Sequence, residues 1–340
     1  MNWKHKKLFY EILRIRLIEE AIAKRYPEGQ MRCPTHLSIG QEAIPVAVCD
    51  YLKPSDQVVS SHRSHAHYLA KGGSLSALLA ELYGKETGCT RGRGGSMNLS
   101  DLSAGFVASK AIIANTIPVG VGLAFAQQLK KSNDITCIFL GDAAIEEGAF
   151  YESLNFAVLK KLPVIFICEN NLYSVNTHLN LRQPKNRQIF ELARSIGAQS
   201  AQFDGNDVLS YYDAMGTIFA DLRKNGGPWF LEFLTYRHKV HCGHEDDLDE
   251  KYRPKTELDY WLAKDPLVVY KKYILEQHII SEHEIEKDNT RIFDEIKKAF
   301  TFAEQSPFPP EQDRFLNQYA ESNLDWLETI LTAEKEGALN

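Results

Sequence analysis

Residues 135–171 read ITCIFLGDAAIEEGAFYESLNFAVLKKLPVIFICENN, and this stretch decides the class of fold. It holds two continuous apolar runs, at 135–140 and 164–168, separated by a helical pattern over 147–160. Strands that are apolar on both sides and alternate with helices are typical of a parallel sheet covered on both faces. The stretch therefore predicts a strand–helix–strand unit of an α/β fold.

The same alternation extends in both directions from this unit, while the two ends of the chain show helical patterns only. We therefore predict a doubly wound parallel sheet with N-terminal and C-terminal helical segments. The other predicted elements are strands at 57–60, near 202 and at 229–234, and helices at 3–26, 40–52, 74–83, 118–129, 189–196 and 208–222. The predicted division is an N-terminal helical wrapping (1–55), an α/β domain (56–255) and a C-terminal helical region with a tail (256–340).

Composition excludes several functional classes. The 340 residues carry a net charge of −6 with scattered Lys and Arg, so nothing indicates binding to nucleic acid or to an anionic membrane. No stretch approaches the ~20 apolar residues of a membrane span. The six cysteines are widely spaced without a CxxC pair, which favours a reducing compartment over a disulfide framework. These features predict a cytoplasmic protein.

Polar side chains follow both strands of the central unit. Gly141-Asp142 comes directly after the first strand, and Asn170-Asn171 comes directly after the second. If the strands are neighbours, they lie ~4.8 Å apart, so a carboxylate and an amide oxygen meet at one edge of the sheet. Oxygen ligands of this kind suit magnesium, and the helix that begins near Glu147 offers backbone N–H groups to phosphate. The spacing therefore predicts a magnesium–diphosphate site.

Several segments then make the resemblance to one family specific. They read HLSIGQEA (36–43), SSHRSHAHYLA (60–70), RGRGGSMNLSD (91–101), NTIPVGVGLAFA (115–126), GDAAIEEGAFYESLNFAVLKKLPVIFICENNLYS (141–174) and FLEFLTYRHKVHCG (230–243). In this order they resemble the alpha subunits of thiamine-diphosphate-dependent 2-oxo acid and acetoin dehydrogenases, over roughly residues 3–308. The resemblance implies the thiamine-diphosphate-binding fold and the cofactors thiamine diphosphate and Mg²⁺. It also implies decarboxylation of a 2-oxo acid or cleavage of acetoin, with transfer of the acyl group to a lipoyl acceptor.

The resemblance also implies roles for individual residues. The expected metal ligands are the side chains of Asp142 and Asn171 and the backbone carbonyl of Tyr173. His65 and His241 match the active-site histidines that line the substrate entrance. The other expected contacts to the cofactor come from His62, Arg63, Ala111, Ile113, Ala143, Ala144 and Arg237.

The chain departs from the family pattern at a few positions. Ala143 stands where the diphosphate motif usually has glycine, which an alanine tolerates if its φ angle is negative. Glu146 and Glu147 add negative charge near the cofactor, and Cys242-Gly243-His244 replaces a serine-rich stretch. These changes leave the expected cofactor intact and leave the substrate open.

The cofactor of this family spans two protein halves, and this chain supplies only the half that holds the diphosphate. The resemblance therefore implies a separate beta subunit, with two alpha and two beta chains in the assembly, and a lipoyl-bearing acyltransferase as a possible further partner. The missing half carries the glutamate that activates the aminopyrimidine ring.

Other functions remain as alternatives. With the same cofactor, the atypical loop would suit acyloin formation or transfer of an activated aldehyde to a ketone or sugar. A scaffold subunit with a degenerate site is less favoured because Asp142, Asn171, Arg63 and His241 are all present. A nicotinamide dehydrogenase is disfavoured because no GxGxxG motif follows an early strand. A zinc cluster of His238, His241, Cys242 and His244 is also disfavoured, because it lacks a CxxC-type pair.

Overall fold

A computed structural model describes residues 2–246 and 252–315, and its centre is a six-stranded parallel sheet. The strand order is β2-β1-β3-β4-β8-β7, and a separate two-stranded hairpin pairs β5 with β6. The strands are β1 (Gln57–Ser60), β2 (Phe106–Ser109), β3 (Thr136–Gly141), β4 (Val164–Asn170), β5 (Tyr173–Ser174), β6 (Thr177–His178), β7 (Gln199–Asp204) and β8 (Trp229–Leu234). The prediction of an α/β fold is confirmed.

Helices cover both faces of this sheet and extend beyond it at both ends of the described chain. The helices are α1 (Asn2–Arg25), α2 (Ala43–Cys49), α3 (His65–Ala70), α4 (Leu75–Leu82), α5 (Thr116–Leu129), α6 (Gly148–Lys160), α7 (Leu179–Arg182), α8 (Ile189–Ile196), α9 (Val208–Asn225), α10 (Lys255–Ala263), α11 (Pro266–Glu276) and α12 (Glu282–Gln305). Short 3-10 helices at Leu102–Ala104 and Asp142–Glu146 lie beside the sheet.

Successive residues of the central strands bury their side chains on opposite faces of the sheet. Cys137 and Phe139 pack into one apolar cluster with helices α1, α2, α4 and α9. Ile138 and Leu140 pack into the other cluster with α5, α6 and α8. All four side chains are at most 2% exposed, which explains why the strand is continuously apolar in sequence.

A buried ion network ties the N-terminal helix to the start of α11. Arg16 of α1 donates through Nη1 to Asp265 at 2.8 Å and through Nη2 to Glu42 at 3.0 Å. Asp265 also caps α11 by accepting from the backbone N–H groups of Leu267 and Val268. A guanidinium with two carboxylates leaves few of its donors unsatisfied, which a buried charge requires. The network therefore joins α1 to the start of α11 and to Glu42, the residue before α2.

The long loop between α4 and β2 is held by one carboxylate. Glu81 of α4 is 1% exposed, and its oxygens accept backbone N–H groups of Thr90, Gly92, Gly94 and Gly95 at 2.7–3.1 Å. Four such bonds give the segment a fixed course without a helix or strand. The segment leads to Ser96, which reaches the site described below.

The structure differs from the sequence-based elements in a few places. The helix predicted at 40–52 covers only Ala43–Cys49, and β2, α3 and the β5–β6 hairpin were not predicted. These missed elements are two to six residues long, too short for a hydrophobic period to emerge. The helical prediction for the tail includes 316–340, which lies outside the described residues.

All six cysteines are free thiols, as their spacing predicted. Across 2–246 and 252–315, we find no helix with the length and apolarity needed to span a bilayer.

Candidate active site

A cavity of about 290 Å³ opens at the carboxyl ends of β1, β3 and β4. Ligands of open parallel sheets bind at this edge, because the loops there diverge from the ends of adjacent strands. The structure brings ten of the predicted site residues together around the cavity. They are His62, Arg63, Ala111, Ile113, Asp142, Ala143, Ala144, Asn171, Tyr173 and His241.

Asp142 and Asn171 reach the cavity from neighbouring strands, as the sequence predicted. β3 pairs with β4 in parallel, with Gly141 opposite Glu169. Asp142 is 2% exposed and Asn171 is 8% exposed. The amide of Asn171 donates to Gln41 Oε1 at 3.2 Å, and its oxygen accepts the Tyr173 backbone N–H at 3.2 Å. These two contacts fix the Asn171 side chain beside the cavity.

The carboxylate of Asp142 already has a cation beside it. Arg182, at the end of the short helix α7, forms ion pairs with both Asp142 and Glu146. Gln183 also donates to Glu146, at 2.9 Å. Burial raises the pKa of Asp142, and the Arg182 guanidinium opposes that shift. The arrangement shows that a positive charge fits at the Asp142 carboxylate.

Arg63 and Arg237 occupy different surroundings. Arg63 lines the cavity and donates to the backbone carbonyls of Leu37 at 2.6 Å and His241 at 3.1 Å. Burial, together with the charge of Arg237, lowers the pKa of Arg63 to about 9. Arg237 is 1% exposed and donates to the Val175 carbonyl at 2.7 Å and to Tyr252 at 2.6 Å. Arg237 therefore lies behind the wall formed by Val175 rather than at the cavity surface.

His65 also lies outside the cavity, unlike the expectation that it lines the substrate entrance. It is 0% exposed, and its Nδ1 lies 2.8 Å from a Glu19 oxygen. Its Nε2 lies 2.8 Å from Ser96 Oγ. Ser96 Oγ in turn accepts the backbone N–H of His36, a cavity residue. With both ring nitrogens engaged, His65 reaches the cavity only through the Ser96 segment.

Three histidine rings meet at one wall of the cavity. Ring centroids lie 4.7 Å apart for His36 and His62, 4.9 Å for His36 and His241, and 5.3 Å for His62 and His241. Burial and the nearby Arg63 charge lower the pKa to about 2 for His36, about 3 for His62 and about 3 for His241. The rings are therefore neutral between pH 5 and 8 and offer both a donor and an acceptor nitrogen.

Sequence reasoning missed several residues of the cavity. His36 and Gln41 stand in the quoted HLSIGQEA segment, so the resemblance contained a signal for both. Glu169 lies directly before Asn170-Asn171 and is 7% exposed, with an oxygen 3.1 Å from His67 Nε2. Met97, Thr116 and Ser174 also line the cavity; they too stand in the quoted segments, but the resemblance gave them no role.

Backbone conformation at the cavity bears on the alanine of the diphosphate motif. Ala143 has a negative φ, the condition under which alanine can replace glycine there. Ala114 and Val175, by contrast, line the cavity with φ angles of 61° and 51°. Non-glycine residues in this region are strained and occur often at binding sites. At the cavity, the left-handed conformation thus occurs at Ala114 and Val175 and not at Ala143.

The structure does not bring together the four residues of the alternative zinc cluster, which are His238, His241, Cys242 and His244. Among the residues that the structure describes, the group with ligand atoms within 4.8 Å of one another consists of His36, His62 and His241. His241 is therefore the one member of the alternative set that joins such a group. His238 Nδ1 instead lies 3.5 Å from an Asp265 oxygen.

Comparison with known proteins places the chain in one family. Residues 10–312 match the family described as "Dehydrogenase E1 component". A "Pyruvate dehydrogenase E1 component subunit alpha" of Rickettsia bellii (strain RML369-C) is 36% identical over 313 residues, covering 92% of this chain and 95% of its own. The protein of that name from Porphyra purpurea is 36% identical over 315 residues, covering 90% of each chain. A chloroplastic "subunit alpha-3" of Oryza sativa subsp. japonica is 35% identical over 324 residues, covering 93% and 75%.

The chain therefore belongs to the Dehydrogenase E1 component family, among the alpha subunits of thiamine-diphosphate-dependent 2-oxo acid dehydrogenases. It is an oxidoreductase of the 2-oxo acid dehydrogenase type.

Proposed function

We propose that this chain is the alpha subunit of an enzyme that decarboxylates a pyruvate-like 2-oxo acid and passes the acyl group to a lipoyl acceptor. One observation carries the proposal: Asp142, Asn171, Arg63 and His241 line the same cavity at the carboxyl edge of the sheet. The names of the relatives favour pyruvate over acetoin as the substrate.

The proposed cofactor site needs an oxygen-lined cation position and a diphosphate position. Asp142 and Asn171 provide oxygens for Mg²⁺, and the backbone carbonyl of Tyr173 is the proposed third ligand. The residues fit a cation, because the Asp142 carboxylate already has a positive group, the Arg182 guanidinium, as its counter-ion. Arg63 faces the cavity and suits a phosphate oxygen. When bound, thiamine diphosphate supplies the nucleophilic carbon and the electron sink for loss of CO2.

The histidine wall is the proposed substrate end of the cavity. A neutral His241 can donate or accept a hydrogen bond to the oxo and carboxylate oxygens of a substrate. His65 is proposed to act as a positioning residue, because its bond to Ser96 fixes the segment that contacts the His36 backbone. Ala111 and Ile113 are the proposed contacts to the aminopyrimidine ring.

An exposed apolar rim at the cavity supports a partner subunit. Ile112 is 70% exposed, Val175 is 51% exposed and Leu181 is 82% exposed. Val175 lines the cavity, Ile112 lies in sequence between the cavity residues Ala111 and Ile113, and Leu181 directly precedes the Arg182 that pairs with Asp142. Large exposed apolar groups around a binding site mark protein interfaces. We assign this rim to a beta subunit that completes the cavity, in an assembly of two alpha and two beta chains.

The second candidate function is acyloin formation or aldehyde transfer with the same cofactor. Both functions use the Asp142 side of the cavity, so they differ only in the acceptor. The assembled enzyme should be offered pyruvate and other 2-oxo acids, with either a lipoyl domain or an aldehyde as acceptor. Acylation of the lipoyl group supports the dehydrogenase, whereas a hydroxyketone product alone would support the second candidate function.

Asp142→Asn tests the metal position. It removes the anionic protein ligand, and we expect the magnesium-dependent affinity for thiamine diphosphate to fall by about 100-fold or more, because even outer-shell changes lower metal affinity by about 10–100-fold. Calorimetric titration of the assembled enzyme measures the affinity. Glu146→Gln is the matched control, since Glu146 pairs with the same Arg182 but is not a proposed ligand. Equal affinities in both variants would contradict the assignment.

Arg182→Ala tests whether the guanidinium competes with the metal for Asp142. Without this competitor, we expect magnesium-dependent cofactor binding to become about fivefold tighter, which corresponds to about 1 kcal/mol. Arg187→Ala is the control, because Arg187 is an exposed arginine of the same segment. Weaker binding in Arg182→Ala would show instead that Arg182 helps to hold the diphosphate.

A further inference from the structure

The three-histidine wall differs in its ligand chemistry from the proposed magnesium position. The ligand nitrogens of His36, His62 and His241 all lie within 4.8 Å of one another. The proposed magnesium position uses oxygen ligands on β3 and β4, whereas these rings come from three other segments. Imidazole nitrogens suit zinc, copper, iron and nickel rather than magnesium. The wall is thus chemically distinct from the magnesium position.

Unsatisfied nitrogen atoms also distinguish these rings. Within residues 2–246 and 252–315, the buried Nδ1 atoms of His36 and His62 have no hydrogen-bond partner. His36 is 6% exposed, so water does not compensate its ring as it would at the surface. Buried polar atoms are normally paired, and an orphaned pair beside a cavity indicates a missing ligand. A metal ion would take up a lone pair from a neutral ring.

We propose that His36, His62 and His241 form a second cation site, selective for a borderline divalent ion such as Zn²⁺. Three protein ligands with a fourth position left open is the composition of catalytic rather than structural zinc sites. All three residues line the cavity, so the open position faces the space where a small molecule binds. A bound ion would narrow that space and compete with an oxo acid for the histidine wall.

To bind a zinc ion, the three histidine rings would have to move only slightly closer together. Zinc–nitrogen distances of about 2.0–2.1 Å place tetrahedral ligand atoms about 3.3 Å apart. The observed limit of 4.8 Å therefore has to shorten by about 1.5 Å, within the reach of imidazole rotation about χ1 and χ2. His62 and His241 are only partly buried and can move, while His36 is the fixed member.

One neighbour opposes a cation. Arg63 carries its charge close enough to lower the pKa of all three rings. Its guanidinium donates to the carbonyls of Leu37 and His241, so it stays in place. We therefore expect weaker binding than in structural zinc sites and free exchange with the solution. The site is accordingly inhibitory or regulatory in character rather than structural.

Cobalt is the probe for this site, because Co²⁺ bound by nitrogen ligands absorbs visible light. The full chain, assembled with its beta subunit and freed of transition metals, is titrated with Co²⁺ in excess Mg²⁺. We expect one Co²⁺ per alpha chain, displaced by Zn²⁺. His36→Gln and, separately, His62→Gln should each weaken Co²⁺ binding by about 100-fold or more. His62 is partly exposed, so its variant tests the site even if His36→Gln does not fold.

Two controls separate this site from the magnesium position. His244→Gln, in the same loop as His241 but outside the group, should leave Co²⁺ binding unchanged. Asp142→Asn should also leave it unchanged, whatever becomes of cofactor binding, so this test is independent of the proposed function. The proposal is overturned if no Co²⁺ binds in excess Mg²⁺, if His62→Gln binds Co²⁺ normally, or if Asp142→Asn abolishes binding.

Discussion

Without a beta subunit, this chain is expected to release no CO2 from pyruvate and to bind thiamine diphosphate only weakly. Among residues 2–246 and 252–315, the acidic side chains that line the cavity are Asp142 and Glu169, which are already paired with Arg182 and His67, respectively. Neither is therefore available to activate the aminopyrimidine ring. A cofactor held at its diphosphate alone stays mobile and exposed to water. Decarboxylation with an artificial electron acceptor, titrated with beta chain, measures the effect.

A pair of surface variants controls for the proposed interface. Ile112→Asp places a charge on the apolar rim and should prevent both assembly and activity. Leu159→Asp changes a residue of similar exposure (72% against 70%) in α6, whereas Ile112 lies in sequence between the cavity residues Ala111 and Ile113. We expect it to assemble normally. If the alpha chain alone decarboxylated pyruvate at the full rate, the prediction that it needs a beta subunit would be wrong, because the chain would then build a complete active site by itself.

His241→Ala is expected to lower turnover by roughly 10²–10⁴-fold, the usual contribution of a positioned acid–base group. Cofactor affinity should change little, because Arg63 contacts the backbone carbonyl of His241, which the substitution keeps. Steady-state rates and calorimetry on the assembled enzyme separate the two effects. His283→Ala, an exposed position in α12, is the control.

The pH dependence of the same variant follows from the sign of the pKa shift. Burial and the Arg63 charge lower the pKa of His241 to about 3. The ring is therefore neutral at both pH 6 and pH 8, and its removal should lower the rate by the same factor at each. A loss confined to pH 6 would show that His241 acts as a cation.

Sequence patterns predicted the centre of the molecule because its signals are local. The strand ends at Asp142 and Asn171 follow directly from apolar runs, and adjacent strands bring them together. The three-histidine wall could not be derived this way. Its members lie at 36, 62 and 241, and each comes from a loop whose course depends on packing elsewhere.

Contacts between distant residues explain the remaining differences. His65 is buried because Glu19 of α1, 46 positions earlier, reaches its ring. Arg182 reaches Asp142, 40 positions away, because the β5–β6 hairpin turns the chain back over the strand ends. Neither helix periodicity nor a sequence motif predicts contacts between side chains so far apart in the sequence. The resemblance identified Arg237 as a diphosphate contact, but only the fold shows it behind Val175.

The Arg182–Asp142 pair affects the stability of the chain before a cofactor binds. A buried carboxylate without a counter-ion would destabilise the newly made chain or take up a proton. Arg182 provides that counter-ion from within the molecule. The charge of Asp142 is thus neutralised within the chain itself, and folding of this subunit does not have to wait for a cation from solution.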